Sequence, residues 1–414
     1  MVTGTEEVFE DVYEARDYVL SLEREELERD AMRGGIFSSI PECLIHPNVS
    51  YCNGAHDSKF IMRPVKSRDL DLFRCSLRPN LKNRKYLFRG ETKFHSPCKP
   101  GLFRDAQRTS FLDSLIYGDE MYCLILSHPL VQLLDMGVSL GGHHVRFAMN
   151  LYGLTQHYYN ETNLLDLTSD IDVALFFATQ NYDRNKDAYS PLIDEMHEPG
   201  VLYYYSLDCL NDFRGPYGQG LSDIGLQVFP RSGRQKGFLY ACERNTDFNL
   251  IPQLRAVRFK HKESIANEIY TKMDGGRRLF PRDILWDHWV GVKGKGRVSL
   301  DALCVNVARN KGEDVGSIRK QLNRCGIEVA DYKPMLTEDE LHRYYEVVRK
   351  ENFWETFCDQ IYIPGDGDGR MMEDLLNVPK NPEYEWAFRE DLPSRVSYDQ
   401  GALLRYYKEV LMRE

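Results

Sequence analysis

Hydrophobic positions recur at helical spacing through residues 5–33. Val8, Phe9, Val12, Tyr13, Val19, Leu20 and Leu27 stand there among Glu and Arg, and Gly34-Gly35 closes the run. From there to about residue 80 Pro41, Pro47, Gly54 and Pro64 break the periodicity, so irregular chain is expected. Tyr86-Leu87-Phe88-Arg89-Gly90 is a short apolar run stopped by glycine, which marks a strand end. Helical spacing returns over 109–138, with Phe111, Leu115, Leu124, Leu126, Val131 and Leu134 as core candidates and a break at Pro129. Short β-type runs follow at 201–207, 226–229, 237–241 and 254–260, then a helix over 263–273 that ends at Gly275-Gly276. Past residue 295 the pattern is helical again. Thr337-Glu338-Asp339-Glu340 reads as a capping box, and further helices are expected at 353–357 and 403–411. Helices set among short strands imply an α+β fold. The expected division is a helical and irregular N-terminal extension at 1–80, a central domain at 81–292 and a helical C-terminal region at 293–414.

Charge and composition narrow the partners. A hydrophobic share of 42% and a charged share of 28% suit a globular chain with a real core. The net charge of −10 gives no strong nucleic-acid signal, since such binders show a basic footprint. The basic run Lys82, Arg84, Lys85 and Arg89 reads as a solvated face. Ten cysteines form no CxxC pair, and neither they nor the His143-His144 pair has metal-ligand spacing, so no metal is expected. Gly365-Asp366-Gly367-Asp368-Gly369 lacks the terminal Glu of a calcium loop and reads as a turn. No basic-then-apolar leader opens the sequence, and no apolar run reaches the roughly 18 residues a membrane helix needs. No membrane partner and a cytoplasmic location are therefore expected.

Three stretches could carry chemistry. Arg89 ends a strand, where its fork of donors suits a pyrophosphate, although spacing alone favours a structural ion pair with a carboxylate. Gly90 would let a ligand approach the backbone. The second stretch runs from Gln156-His157 through Leu164-Leu165-Asp166-Leu167-Thr168-Ser169 into a helix, with Ile171, Ala174, Leu175 and Ala178 on one face. Ser169 with Asp172 three residues later has the shape of a capping box. Thr168 or Ser169 could also face a ligand at a helix N-terminus suited to an anion. His157 could act as an acid or be a satisfied buried histidine. In the third stretch, Gln235 sits in a polar turn entering a strand, able to bond ribose hydroxyls or to be satisfied by backbone.

Together these stretches resemble the FRG domain. Phe88-Arg89-Gly90 is its namesake tripeptide. Gln156-His157-Tyr158, Leu164-Leu165-Asp166 with Thr168-Ser169, and Val173-Ala174-Leu175-Phe176-Phe177-Ala178 are similar to its internal motif. Gln235-Lys236-Gly237-Phe238 and Leu279-Phe280-Pro281 are similar to its later elements. Where the family usually has Gly-Leu-Pro-Thr-Arg, this chain has 159–163, and Leu167 replaces a usual Trp. The FRG pattern in turn resembles that of ADP-ribosyltransferases. The resemblance implies an ADP-ribosyltransferase-like core that binds NAD as substrate and acts on an unknown macromolecular acceptor or water, as a toxin or defence effector would. Carried over, Arg89 holds the pyrophosphate, Ser169 braces the nicotinamide ribose, His157 lines the pocket, and Gln235 stands where a transferase has Glu. An amide can hold the ribose 2′-hydroxyl but brings no negative charge, so Glu91, Asp166 and Glu243 are the carboxylates that could supply one. Asp166 is expected to brace its loop by accepting backbone N–H groups. The alternative is a non-catalytic NAD or ADP-ribose sensor, or an interaction module, with function in the helical flanks.

Overall fold

The computed structural model describes residues 8–33, 60–65, 73–350 apart from short stretches, the longest of them 208–219, and 361–362. The helices expected at 353–357 and 403–411 and the turn at 365–369 lie outside the described residues, as does most of the β-type run at 226–229. The fold is α+β, and the chain divides into two compact units.

The first unit draws on Met1–Asp57, Arg78–Pro100 and Asn163–Pro281. Its centre is a seven-stranded sheet in the order Val8–Phe9, Leu254–Phe259, Gly200–Ser206, Tyr86–Glu91, Leu164–Thr168, Gly237–Ala241, Gly220–Asp223. Every neighbouring pair is antiparallel except the first, which is parallel. The β-type runs at 201–207, 237–241 and 254–260 thus form strands within a residue of the expected bounds. The sheet carries one core on each face, as period-2 alternation requires. Phe88, Leu202, Tyr204 and Phe259 face the helix Ile171–Thr179 and the helix Val12–Arg33. Leu87, Leu165, Leu167, Val201, Tyr203 and Phe238 face the other way.

Two expectations change here. The N-terminal helix is no separate extension, because Val12, Ala15 and Val19 are buried in the first core. Its Glu23 is 3% exposed and accepts from Lys85 N at 2.8 Å, Tyr86 N at 3.1 Å and Arg84 Nη1 at 2.9 Å. The basic run is therefore no solvated face where it is described: Lys85 and Arg89 are largely buried and Arg84 is ion-paired.

The second unit draws on Ser58–Leu77, Gly101–Thr162 and Arg282–Glu414. It holds much of the segment expected in the central domain. The irregular chain expected before residue 80 includes the strands Phe60–Val65 and Phe73–Pro79, members of a five-stranded sheet that also holds His143–Phe147. Arginines and prolines interleaved in both strands hid them from a pattern reading. Helices Leu112–Leu126, Leu300–Arg309 and Val315–Arg324 bury Ile116, Leu303, Ile318 and Leu322 against the short strand Arg297–Ser299. The capping box forms as its spacing implies. Thr337 N and Oγ1 donate to Glu340 Oε2 at 2.7 and 2.9 Å, and Glu340 N donates back to Thr337 Oγ1 at 3.3 Å.

Candidate functional site

The Tyr86–Glu91 and Leu164–Thr168 strands share one register pair, Phe88 with Thr168, whereas each pairs with its other neighbour over five or more residues. The sheet parts there. Continued pairing would set Gly90 opposite Asp166. Instead Arg89 Nη1 donates to the Asp166 carbonyl at 2.8 Å, satisfying an oxygen that the ladder leaves unused.

Arg89 is held on its other side by Glu91, whose Oε1 accepts from Nε at 3.1 Å and from Nη2 at 2.5 Å. The two side chains are only 12% and 16% exposed. Burial works against the charge on the guanidinium. Glu91, then Cys98 and Asp166, work for it, and the balance lifts Arg89 above its ordinary value. Around this pair, burial raises the Tyr203 phenol and pushes the Cys242 thiol up to about 12. Tyr203 donates to Asn249 Oδ1 at 3.1 Å.

Gly90 serves the helix. A Cβ there would overlap the carbonyl oxygen of Ala174 and lie 2.8 Å from the Cβ of Ala178. The close approach read from the sequence as room for a ligand is taken by Ile171–Thr179 itself. Phe-Arg-Gly-Glu thus has a local logic. Phe88 fills the helix-side core, Arg89 and Glu91 neutralise each other near the opposite core, and Gly90 lets the helix dock.

Thr168 and Ser169 lead into that helix. Thr168 Oγ1 donates to Gln235 O at 2.6 Å and accepts from Asp170 N at 3.0 Å, and Ser169 N donates to Lys236 O at 3.2 Å. The N-cap is Asp170, one residue later than the box read from Ser169, and its Oδ1 accepts from Asp172 N at 3.1 Å. Ser169 is buried, yet its hydroxyl bonds to no described residue. The helix N-terminus that was expected to suit an anion already carries Asp170 and Asp172, paired with Lys236 at 3.0 Å and Lys272 at 2.7 Å.

Gln235 sits in a helix, Pro230–Gln235, where a polar turn was expected; Pro230 at its first position and left-handed Lys236 after its end delimit it. Its Nε2 donates to the Leu279 carbonyl at 3.1 Å, so part of its amide is satisfied by backbone. His157 belongs to the second unit, where it is buried and follows the helix Leu151–Gln156.

Of the three carboxylates, Glu91 is engaged by Arg89 and Glu243 is exposed. Asp166 accepts no backbone N–H from a described residue, contrary to the bracing role expected of it. No described donor reaches its buried Oδ1. A carboxylate oxygen left without a partner has no sequence signature, because its burial depends on how the chain packs in space. Among the described residues no cluster of His, Cys, Asp and Glu is arranged to hold a metal ion, and no helix is long and apolar enough to cross a membrane.

Residues 84–187 match the FRG domain. The FRG match begins just before the Arg89 strand, includes Thr168, Ser169 and the docking helix, and stops short of Gln235. No curated protein and no solved structure matches the chain.

Proposed function

We propose that the first unit has an ADP-ribosyltransferase-like core that binds NAD and breaks its nicotinamide–ribose bond, passing ADP-ribose to a macromolecule or to water. The observation that carries this reading is the meeting of three distant stretches where the sheet parts. Arg89 reaches the Asp166 carbonyl, Thr168 reaches the Gln235 carbonyl, and Ser169 is held by Lys236. Arg89 has five N–H groups and spends three internally, which leaves two for a pyrophosphate. The Ser169 hydroxyl is available to the nicotinamide ribose, and Gln235 keeps one N–H and its amide oxygen for a ribose hydroxyl. In the reaction the bond from ribose C1′ to the pyridinium nitrogen breaks and its electron pair goes to nicotinamide, which leaves neutral. The cation on C1′ and the ring oxygen is then captured by an acceptor hydroxyl, whose proton passes to solvent.

The test is incubation of purified protein with NAD, following free nicotinamide. Ser169→Ala is the informative variant, because that hydroxyl supports no described bond. Release is expected to fall at least about tenfold, as on loss of one hydrogen bond to a polar site, with no change in Tm. Absence of both binding and release overturns the proposal. A second reading, an NAD or ADP-ribose sensor without turnover, is favoured by the internal pairing of Arg89 with Glu91. Calorimetric NAD binding with no nicotinamide release would select it.

A further inference from the structure

The reaction above needs a negative charge near ribose C1′, and Gln235 does not bring one. We infer that Asp166 supplies it: its carboxylate receives the nicotinamide-ribose hydroxyls and faces the charge that develops on the ring. This rests on the NAD reading.

Four observations converge on Asp166. First, no described donor reaches its Oδ1, a buried atom. A buried polar oxygen without a hydrogen bond costs folding free energy, and such groups persist where a ligand or a reaction uses them. Second, the acids of the Arg89 strand and of the helix start that follows Ser169 are engaged, and Glu243 is exposed. Glu91 holds Arg89, Asp170 holds Lys236 and caps the helix, and Asp172 holds Lys272. Third, its position is central. Asp166 lies in the strand that ends at Thr168, two residues before the hydroxyl that reaches Gln235, and its own carbonyl is the one Arg89 binds. Its carboxylate also acts electrostatically on Arg89. Fourth, the strand departs from the neighbouring Arg89 strand at this point, so Asp166 has a ladder partner, Leu239, on one side only. A carboxylate with free lone pairs takes the two O–H donors of a vicinal diol side by side, which makes a ribose the fitting ligand class. As the bond to nicotinamide lengthens, positive charge grows on C1′ and the ring oxygen, and a nearby anion strengthens its hold on that state more than on the ground state.

The experiment compares wild type with Asp166→Asn, Asp166→Glu and Glu243→Gln in nicotinamide release, NAD calorimetry and thermal melting. Asp166→Asn keeps the shape and removes the charge. Its release should fall about 100-fold or more, with the loss in kcat and NAD affinity within a few-fold. Its Tm should hold or rise, since a buried oxygen that bonds to no described donor loses its charge. Asp166→Glu should keep part of the activity, and Glu243→Gln all of it. Wild-type release in Asp166→Asn would overturn the inference and leave the NAD reading standing. So would a Tm lowered by several degrees, which would make Asp166 a structural brace, and so would NAD binding by the wild type without any release. A wild type that neither binds nor cleaves NAD would remove both.

Discussion

Each unit buries acids, and each treats them differently. In the second unit Asp119 and Glu120 are adjacent on the helix Leu112–Leu126 and are each 1% exposed. Asp119 accepts from Arg309 at 2.6 Å, from Asn306 at 2.8 Å and from Tyr152. Glu120 accepts from Ser299 N, Ser299 Oγ and Tyr332 at 2.8, 2.6 and 2.8 Å. Arg309 lies over the Tyr152 ring at 3.3 Å. Every lone pair that matters there has a donor. In the first unit Glu91 is as well served, but Asp166 is left open. The contrast is between acids whose oxygens are bonded within the fold and one with an oxygen that no described donor reaches, which we assign to a ligand. A fully bonded buried network specifies packing, whereas an open member is where a second molecule fits.

The largest expected effect tests the served acids. Removing a cation from a buried pair leaves an uncompensated charge, so Arg89→Met should cost about 3 kcal/mol in urea unfolding. Arg309→Met should cost less, about 2 kcal/mol, because a third of that side chain is already in solvent. Equal and negligible costs would erase the contrast on its structural side. Next comes Gly90→Ala, expected to lose about 2 kcal/mol or more by forcing the Ile171–Thr179 helix off the strand. A neutral result would return that glycine to a ligand. The third is pH. Burial lifts Asp119 to about 7 from an ordinary 3.8, against the pull of Arg309 and Asn306. The folded state therefore holds that proton over a range where the unfolded chain has released it. Its stabilising contribution is complete below about pH 4 and is lost as pH rises to about 7, at up to about 1.4 kcal/mol per pH unit. Asp119→Asn should flatten this slope, read from urea midpoints between pH 4 and 8; an unchanged slope would refute the assignment. Smallest is Asp166→Asn, whose stability should stay within about 1 kcal/mol of wild type or exceed it.

The two units also differ in how legible they were. In the first, alternation and glycine stops located the Tyr86, Val201, Gly237 and Leu254 strands, and the spacing of Ile171, Ala174, Leu175 and Ala178 gave the buried face of the docking helix. Local signals of this kind depend only on near neighbours. What stayed hidden depends on partners far along the chain. Glu23 meets Lys85 across 62 positions, Arg89 meets Asp166 across 77, and Gln235 meets Leu279 across 44. The residue types at Arg89 and Gln235 allowed a ligand contact or an internal one, and only the arrangement in space shows which donors are already engaged. The Phe60 and Phe73 strands were missed for a different reason, since their Arg and Pro content imitates a loop.

The clasp formed by Glu23 bears on how this protein can be cut. A fragment trimmed to residues 84–187 would keep two of the seven strands around which the first unit is built, and would strip Lys85 N, Tyr86 N and Arg84 of their shared acceptor. The stretch that matches the FRG domain is thus shorter than the unit built around it. Any expression boundary or transplant into another chain has to start ahead of Val8 and run past Pro281.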